Sequence, residues 1–186
     1  MTAALLLGSS LLSGAASEFL PVAYDAGSEI STVDAIEKAT SAFGQLRHAV
    51  NNAGYPGPLG PSTEISTNEF QELLDVNLTG IWTAQREQIR HMLQQKPREE
   101  RAYASQDANE YAKRGIRINA VCPGFIETPI MKLGGPGIDS IKEYGLNRTP
   151  MQRFGDPMEV ANTIVFLSSP MATYVSGTEV RVDGYV

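Results

Sequence analysis

Short apolar runs alternate with longer stretches of helical periodicity along the first third of the chain. Residues 19–24 form a short, mostly apolar run before Asp25, which predicts a strand. Residues 31–43 repeat apolar side chains at three- and four-residue spacing before Gly44, which predicts a helix and its end. The apolar run 46–50 predicts a second strand, which leads into a turn.

The rest of the chain continues this alternation. Ser66 and Glu69 have the spacing of a capping box, and an apolar stripe follows them, which predicts a helix. The members of the stripe are Phe70, Leu73, Leu74, Leu78, Ile81 and Met92. Further predicted elements are a helix over 102–114, a strand over 116–122, a helix that begins at Pro157 and a strand over 178–182. Strands that alternate with helices predict an α/β fold with a mostly parallel sheet.

The composition limits the classes of partner. The 186 residues are 42% hydrophobic, which predicts one globular domain over 1–186. A formal charge of −6 leaves no basic stripe to neutralise phosphates, so no nucleic-acid partner is expected. Cys122 is the single cysteine, which excludes an internal disulfide and fits a reducing compartment. Neither His48 nor His91 has another ligand at metal spacing, so no metal site is expected.

The start of the chain is apolar but lacks the positive charge of a secretory signal. Residues 3–16 are small and apolar, and 14–16 (GAA) would suit a cleavage site, yet no Lys or Arg precedes Lys38. The run is also shorter than the ~20 residues that span a membrane. The sequence therefore predicts a cytoplasmic protein without a membrane anchor.

Four short motifs occur in a characteristic order. They are residues 51–54 (NNAG), 76–80 (VNLTG), 123–129 (PGFIETP) and 182–184 (VDG). In this combination, and over about four-fifths of the chain, the sequence resembles the short-chain dehydrogenase/reductase family. The resemblance implies a Rossmann-like, doubly wound, mostly parallel sheet. It also implies NADP or NAD as the cofactor and a small carbonyl compound or secondary alcohol as the substrate, with a role in secondary metabolism.

The resemblance assigns the adenosine half of the cofactor to two residues that follow predicted strands. Asp25 matches a family aspartate that hydrogen-bonds the adenine, because a carboxylate at the carboxyl end of a parallel strand can accept from an amino group. An aspartate that only opens a turn explains the same residue equally well. Asn52 matches the family asparagine beside the adenosine ribose, and the alternative is an asparagine turn that stabilises the sheet.

The resemblance assigns the nicotinamide half to the loop after the predicted strand 116–122. Ile126 would offer its backbone to the carboxamide, and Thr128 would offer its hydroxyl to the carboxamide or to a phosphate. Apolar surface with a few placed polar groups suits an amphipathic ring. The alternative is a strand exit in which Pro123 and Gly124 only end the strand.

Asn77 is the clearest candidate for the catalytic machinery. It shares a helical stripe with Phe70, Leu74 and Ile81, which predicts that its amide points toward the core. A buried amide without partners costs about 1–3 kcal/mol, so partners are expected. The family asparagine bonds the backbone and holds a water of a proton relay, and a purely structural amide is the alternative.

The proton donor of the family has no clear match. Family members use a serine and a tyrosine followed four residues later by a lysine, whose charge lowers the pKa of the tyrosine. Here Tyr103 is the candidate, but Asp107 stands four residues on, and its negative charge has the opposite effect. Under the resemblance, Lys113 or Lys132 would have to replace the lysine.

Two stretches lack units that the family has. The polar loop 94–101 lies where a central strand and the catalytic helix would begin. Residues 1–18 form an atypical N-terminus, because they lie where the family has its glycine-rich phosphate turn. The predicted fold is therefore an incomplete Rossmann-like fold.

Three hypotheses about function remain open. The first is an NAD(P)-dependent oxidoreductase of this family. The second is a catalytically inactive member, a pseudoenzyme that acts as a binding or subunit-pairing module. The third is an incomplete gene product that has lost coding segments. A homo-oligomer is also left open, because relatives commonly pair through the Asn77 helix and the missing catalytic helix.

Overall fold

Two helices begin at capping boxes that the sequence predicts. The computed structural model describes residues 2–5, 20–58, 60–95, 107–129 and 138–185. The Ser66 hydroxyl accepts from the Glu69 N–H at 3.3 Å, and the Glu69 carboxylate accepts from the Ser66 N–H at 2.8 Å. Asp156 and Glu159 form the same reciprocal pair before the helix that begins at Pro157. Both predicted helix starts are confirmed.

The chain divides into two compact units, residues 1–96 and 97–186, and the prediction of one domain stays a prediction. In the described part of the first unit the elements are β1 Thr2–Leu5, β2 Val22–Asp25, α1 Glu29–Phe43, α2 Thr67–Leu74, a π-helical segment Asp75–Gly80 and α3 Ile81–Gln94. β1 pairs with β2 antiparallel, with Thr2 opposite Asp25. The expectation of parallel strands is wrong for this pair. An antiparallel pair forms without the crossover helix that a parallel pair needs.

The apolar segment 46–50 is a second correction. Residues 45–58 contain no strand, although Leu46 is buried at 3% exposure. An apolar run indicates burial, whereas a strand also requires ladder hydrogen bonds to a neighbour. The segment therefore reaches the core without becoming a strand.

The long helix predicted after the first capping box contains the π segment in its middle. A π turn spans one residue more than an α turn and so changes the direction of the side chains around it. Phe70 and Leu78 are 53% and 63% exposed, which corrects the predicted stripe, while Met92 is 1% exposed. The segment ends at Gly80, which lies directly against the Ala26 carbonyl.

The core of the first unit lies between two helices. α1 packs against α3 and contributes small and branched side chains to their contact. The buried residues from these helices include Ala35, Ile36, Ala39, Ala84, Ile89 and Met92. At the edge of this contact Arg86 of α3 donates to the Glu29 carboxylate of α1 at 2.5 Å.

The second unit contains the parallel pair that the sequence predicts. Its described elements are α4 Asp107–Tyr111, a 3-10 turn Ala112–Arg114, β3 Ala120–Pro123, α5 Ile138–Arg148, α6 Pro157–Ser168, a 3-10 turn Pro170–Ala172 and β4 Glu179–Val182. β3 and β4 are parallel, with Ala120 opposite Glu179. Ile116 and Ile118 are fully buried ahead of β3, and α6 packs on both strands. The strand predicted over 116–122 thus begins four residues later.

The described helices include none that is long and apolar enough to cross a membrane. The same parts of the chain contain no group of three His, Cys, Asp or Glu side chains that could hold a metal ion. Cys122 is a half-buried free thiol in β3.

Replacing Gly80 by alanine is expected to destabilise the first unit. An added Cβ would lie 2.1 Å from the Ala26 carbonyl oxygen, a backbone atom that cannot move aside alone. Such overpacking costs about 1–3 kcal/mol, and urea unfolding measures the loss. Gly54→Ala is the matched control, because nothing lies within 4 Å of its Cβ position. Equal unfolding midpoints for the two variants would contradict the close approach.

Candidate functional site

The side-chain amide of Asn77 is bonded on both sides by the backbone of Tyr55. Its Oδ1 accepts from the Tyr55 N–H at 2.8 Å, and its Nδ2 donates to the Tyr55 carbonyl at 2.7 Å. Asn77 is half-buried within the π segment, and π-helical turns are frequent at functional sites. The amide thus has the partners that its burial requires. Its part in a proton relay stays a prediction.

A second amide pair holds the other end of the NNAG motif. Gln88 Nε2 donates to Asn51 Oδ1 at 2.8 Å, and Asn51 Nδ2 donates to Gln88 Oε1 at 3.3 Å. Gln88 is buried at 3% exposure on α3. Together with the Asn77–Tyr55 pair, this contact fixes residues 51–55 at both ends to one stretch of helix.

Gln95 extends the same arrangement toward the start of the segment. With its amide oriented toward Leu46, Nε2 donates to the Leu46 carbonyl at 3.2 Å and Oε1 accepts from the Leu46 N–H at 3.0 Å. We call Asn77, Gln88 and Gln95 the amide row. At both of its ends the row offers the backbone of 46–55 a donor and an acceptor, as a neighbouring strand would.

The sequence pattern does not single out Gln88 or Gln95. A signal is nevertheless present, because residues seven apart lie on one helix face and this face carries Ala84 and Met92 in the core. A glutamine on such a face has to find a partner. The pattern reveals the requirement but not the partner.

Asn52 differs from its neighbour Asn51. It is exposed, and its side chain has no hydrogen-bond partner among the residues that the structure describes. The carbonyl oxygen and the amino group of this amide therefore face solvent, where a ligand can reach them.

Asp25 lies at the carboxyl end of β2, as predicted, and is exposed. Its Oδ1 accepts from the Gly27 N–H at 3.1 Å, and its own N–H donates to the Ser31 hydroxyl at 2.8 Å. These bonds are those of an aspartate that opens a turn. A carboxylate has further lone pairs, so the turn does not exhaust its acceptor capacity.

The turn that follows Asp25 contacts the same π segment as Tyr55, which comes directly after the NNAG motif. An added Cβ at Gly27 would lie 3.6 Å from Val76 Cγ2, and Gly80 lies against Ala26. The same segment also hydrogen-bonds the backbone of Tyr55 through the Asn77 side chain. The π segment therefore contacts both the turn that follows Asp25 and the residue that follows the NNAG motif.

In the second unit, hydrogen bonds of the two neighbouring residues orient the backbone N–H and C=O of Ile126. The Gly155 N–H donates to the Phe125 carbonyl at 2.9 Å, and the Glu127 N–H donates to the Gly155 carbonyl at 2.9 Å. In a bridge of this kind the N–H and C=O of the residue between them point to the opposite side. Within the described ranges neither group of Ile126 has a hydrogen-bond partner.

Aromatic packing also holds this loop in place. The Phe125 ring meets the Tyr144 ring edge-on at 6.4 Å and the Phe154 ring at 6.3 Å between centroids. Gly145 of α5 leaves room for Phe125, since an added Cβ would lie 2.9 Å from the ring. These contacts hold Phe125, the residue before Ile126, in place.

Thr128 stands two residues after Ile126 and is half-buried. In the part of the chain that the structure covers, its hydroxyl has no hydrogen-bond partner. Ile126 and Thr128 therefore place an amide N–H, a carbonyl and a hydroxyl on one short loop.

An ion pair fixes the turn that carries Gly155. The Arg153 guanidinium donates to both carboxylate oxygens of Glu159, at 2.7 Å each. Arg153 and then the Asp156 N–H lower the pKa of Glu159 from 4.5 to about 2. Glu159 is thus ionised at any ordinary pH. Its ion pair joins α6 to Arg153, in the turn that leads to Gly155.

The predicted proton donor lies outside the described residues. This holds for Tyr103 and for the candidate lysine Lys132. Lys113 is exposed on the 3-10 turn that follows α4. Asp107 is the first residue of α4. The roles of these residues stay predictions.

Comparison with known proteins identifies the family. The family described as short chain dehydrogenase matches residues 8–98, and the one described as enoyl-(acyl carrier protein) reductase matches residues 101–185. A 3-oxoacyl-(acyl-carrier-protein) reductase of Thermotoga maritima is 31% identical over 177 residues, which covers 81% of this chain and 70% of the relative. The chain belongs to the short-chain dehydrogenase family.

Two further relatives agree with this membership. The 3beta-hydroxysteroid dehydrogenase 1 of Eggerthella lenta is 36% identical over 181 residues, which covers 82% of this chain and 68% of the relative. The crystal structure of levodione reductase superimposes with a TM-score of 0.77 at 26% identity, covering 87% of this chain and 74% of that chain. The Rossmann-like fold of the family is thus shown for this chain.

The alignment with the Thermotoga maritima reductase contains a gap in this chain. It runs over 177 positions, but 81% of 186 residues is about 151, so about 26 positions of the relative have no counterpart here. The two family matches meet between residues 98 and 101, inside the polar loop 94–101.

The Arg153–Glu159 pair predicts a pH dependence of stability. Because folding lowers the pKa of Glu159 to about 2, the stabilisation is complete above pH 4.5 and is lost as the pH falls toward 2. Urea unfolding should show Glu159→Gln less stable than the parent at pH 6 and equally stable at pH 2. The control is Glu143→Gln, an exposed carboxylate of α5 without an ion pair among the described residues. The same pH profile in both variants would exclude the ion pair as the cause.

Proposed function

We propose that this dehydrogenase uses NADP or NAD to reduce a small carbonyl compound or to oxidise the corresponding secondary alcohol. The observation that carries the proposal is the backbone of Ile126, whose N–H and C=O are both unbonded in the described ranges. A primary carboxamide, such as that of nicotinamide, has one acceptor oxygen and one donor amino group. The N–H and C=O of Ile126, which point to the same side, complement both.

The neighbouring groups also suit a nicotinamide nucleotide. Thr128 adds a hydroxyl that can donate to the carboxamide or to a phosphate oxygen. Phe125 and the side chain of Ile126 supply the apolar surface that a ring needs. When bound, the nicotinamide supplies or accepts the hydride. The residues of this chain would hold and orient it.

The first unit supplies groups that suit the adenosine half. Asn52 presents an unbonded amide that can bond ribose hydroxyls as donor and as acceptor. The Asp25 carboxylate, which accepts from the Gly27 N–H, is of the chemical type that accepts from an exocyclic amino group. Asp25 opens the turn that lies against the π segment, and Asn77 of that segment bonds Tyr55, three residues after Asn52.

The names of the relatives support the substrate class. One relative is named for a 3-oxoacyl group and another for a 3beta-hydroxysteroid, so a ketone and a secondary alcohol are the functional groups concerned. We carry only this shared chemistry over to the present chain. A role in secondary metabolism, a cytoplasmic location and a homo-oligomer stay predictions.

The second candidate function is cofactor binding without turnover, by a pseudoenzyme or an incomplete gene product. Two observations favour it: about 26 positions of the Thermotoga maritima reductase have no counterpart in this chain, and no Tyr-x-x-x-Lys pair occurs in the sequence. General acid–base catalysis contributes about 10²–10⁴ in rate. Without it, a bound cofactor would turn over very slowly. Translation of the genomic DNA around codons 94–103 tests for an omitted Tyr-x-x-x-Lys segment.

Titration with NADPH, followed by the fluorescence of the nicotinamide, tests cofactor binding. Thr128→Val should raise the Kd about five- to tenfold, because it removes a hydroxyl without a large change of shape. Thr173→Val is the matched control, since Thr173 is an exposed threonine of the same unit. A parent protein that does not bind NADPH at millimolar concentration would contradict the proposal.

Turnover separates the two candidate functions. If this chain is an active oxidoreductase with Tyr103 as its proton donor, Tyr103→Phe should lower the rate of ketone-dependent NADPH oxidation about 10²–10⁴-fold while the Kd for NADPH is unchanged. Binding by the parent without any oxidation would favour the second candidate. A Tyr103→Phe variant as active as the parent would eliminate Tyr103 as the donor.

A further inference from the structure

We infer that Gln88 is a positioning residue that acts through Asn51 to hold the 51–54 turn in the conformation that presents Asn52 to the cofactor. This inference rests on the proposed function. It goes beyond it by assigning a role to a residue of α3 that does not itself touch the ligand.

The contact is reciprocal and desolvated. Each amide donates to the other, at 2.8 and 3.3 Å, across 37 residues of sequence. Gln88 is 3% exposed, so water cannot replace Asn51 as its partner without opening the site. A leucine of similar size would fill this space equally well. The polar contact itself is therefore the distinguishing property of Gln88.

The turn depends on side-chain contacts for its conformation. Residues 51–55 make no backbone–backbone hydrogen bond within the ranges that the structure describes. Asn77 fixes one end through Tyr55, and Gln88 fixes the other end through Asn51. Loss of either contact frees one end of a short irregular segment, and the order of such a segment follows from its few contacts.

The two adjacent asparagines have different environments and different roles. Asn51 is half-buried and its amide is engaged by Gln88, whereas Asn52 is exposed and its amide has no partner in the described part. Holding the first side chain inward restricts the backbone on which the second projects outward. Binding is stronger when the contacting group is already in place, because less entropy is lost.

Three variants test this assignment. Gln88→Leu removes the amide and keeps the size, and Gln94→Leu, an exposed glutamine on the same helix, is the matched control. The double variant Asn51→Gln with Gln88→Asn reverses the pair and restores both donors and both acceptors. NADPH fluorescence titration gives the Kd, and amide hydrogen exchange by NMR gives the order of residues 53–55.

Gln88→Leu should raise the Kd for NADPH about tenfold and speed the exchange of these amides, whereas Gln94→Leu should change neither. The reversed pair should return both values to within about twofold of the parent. An unchanged Kd in Gln88→Leu, or a folded reversed pair that binds as weakly as Gln88→Leu, would overturn the inference. If Gln88→Leu does not fold, Asn51→Ala removes the same contact from the loop side and is judged by the same criteria.

The exchange measurement keeps this test separate from the proposed function. If the parent does not bind NADPH, the proposed function fails and the exchange of residues 53–55 decides alone. Faster exchange in Gln88→Leu than in Gln94→Leu would then support Gln88 as the residue that orders the turn. Equal exchange in the two variants would overturn that role as well.

Discussion

A buried amide must find hydrogen-bond partners, and in the first unit this requirement joins the helix to the segment that carries the NNAG motif. Each member of the amide row bonds a residue of 46–55: Asn77 bonds Tyr55, Gln88 bonds Asn51 and Gln95 bonds Leu46. These contacts stand where ladder hydrogen bonds to another strand would be expected. Since an unsatisfied buried amide costs about 1–3 kcal/mol, sliding the segment along the helix would be opposed at three points.

The second unit follows the same physical logic with backbone groups. Gly155 hydrogen-bonds to Phe125 and Glu127, the two neighbours of Ile126. The Phe125 ring in turn packs against Tyr144 and Phe154. The Arg153–Glu159 pair fixes the turn that carries Gly155. In each unit, satisfied polar groups form the frame and a small number of unbonded ones face outward. Asn52 in the first unit and Ile126 in the second are these outward groups.

Family membership and catalytic competence rest on different residues. The matched motifs are those that would hold a nucleotide, and they lie in segments whose local frame the structure describes in detail. The predicted proton donor, Tyr103, follows shortly after the point between residues 98 and 101 where the two family matches meet. Cofactor binding and substrate protonation would therefore depend on different residues of this chain.

Features that depend on neighbours within a few residues could be predicted from the order of residues alone. The capping boxes at Ser66 and Asp156 are of this kind, because their hydrogen bonds join residues three apart. The end of strand β2 at Asp25 is another local feature of this kind. The family motifs also predicted the Rossmann-like fold, whose parallel strands appear in β3 and β4.

Features that depend on partners distant in sequence could be seen only in the folded structure. The antiparallel pairing of β1 with β2, the missing ladder at 46–50 and the Gln88–Asn51 contact each join residues well separated along the chain. Periodicity records which side chains are buried but not against what. Hydrogen bonds between distant groups are selected by packing, which the order of residues alone does not reveal.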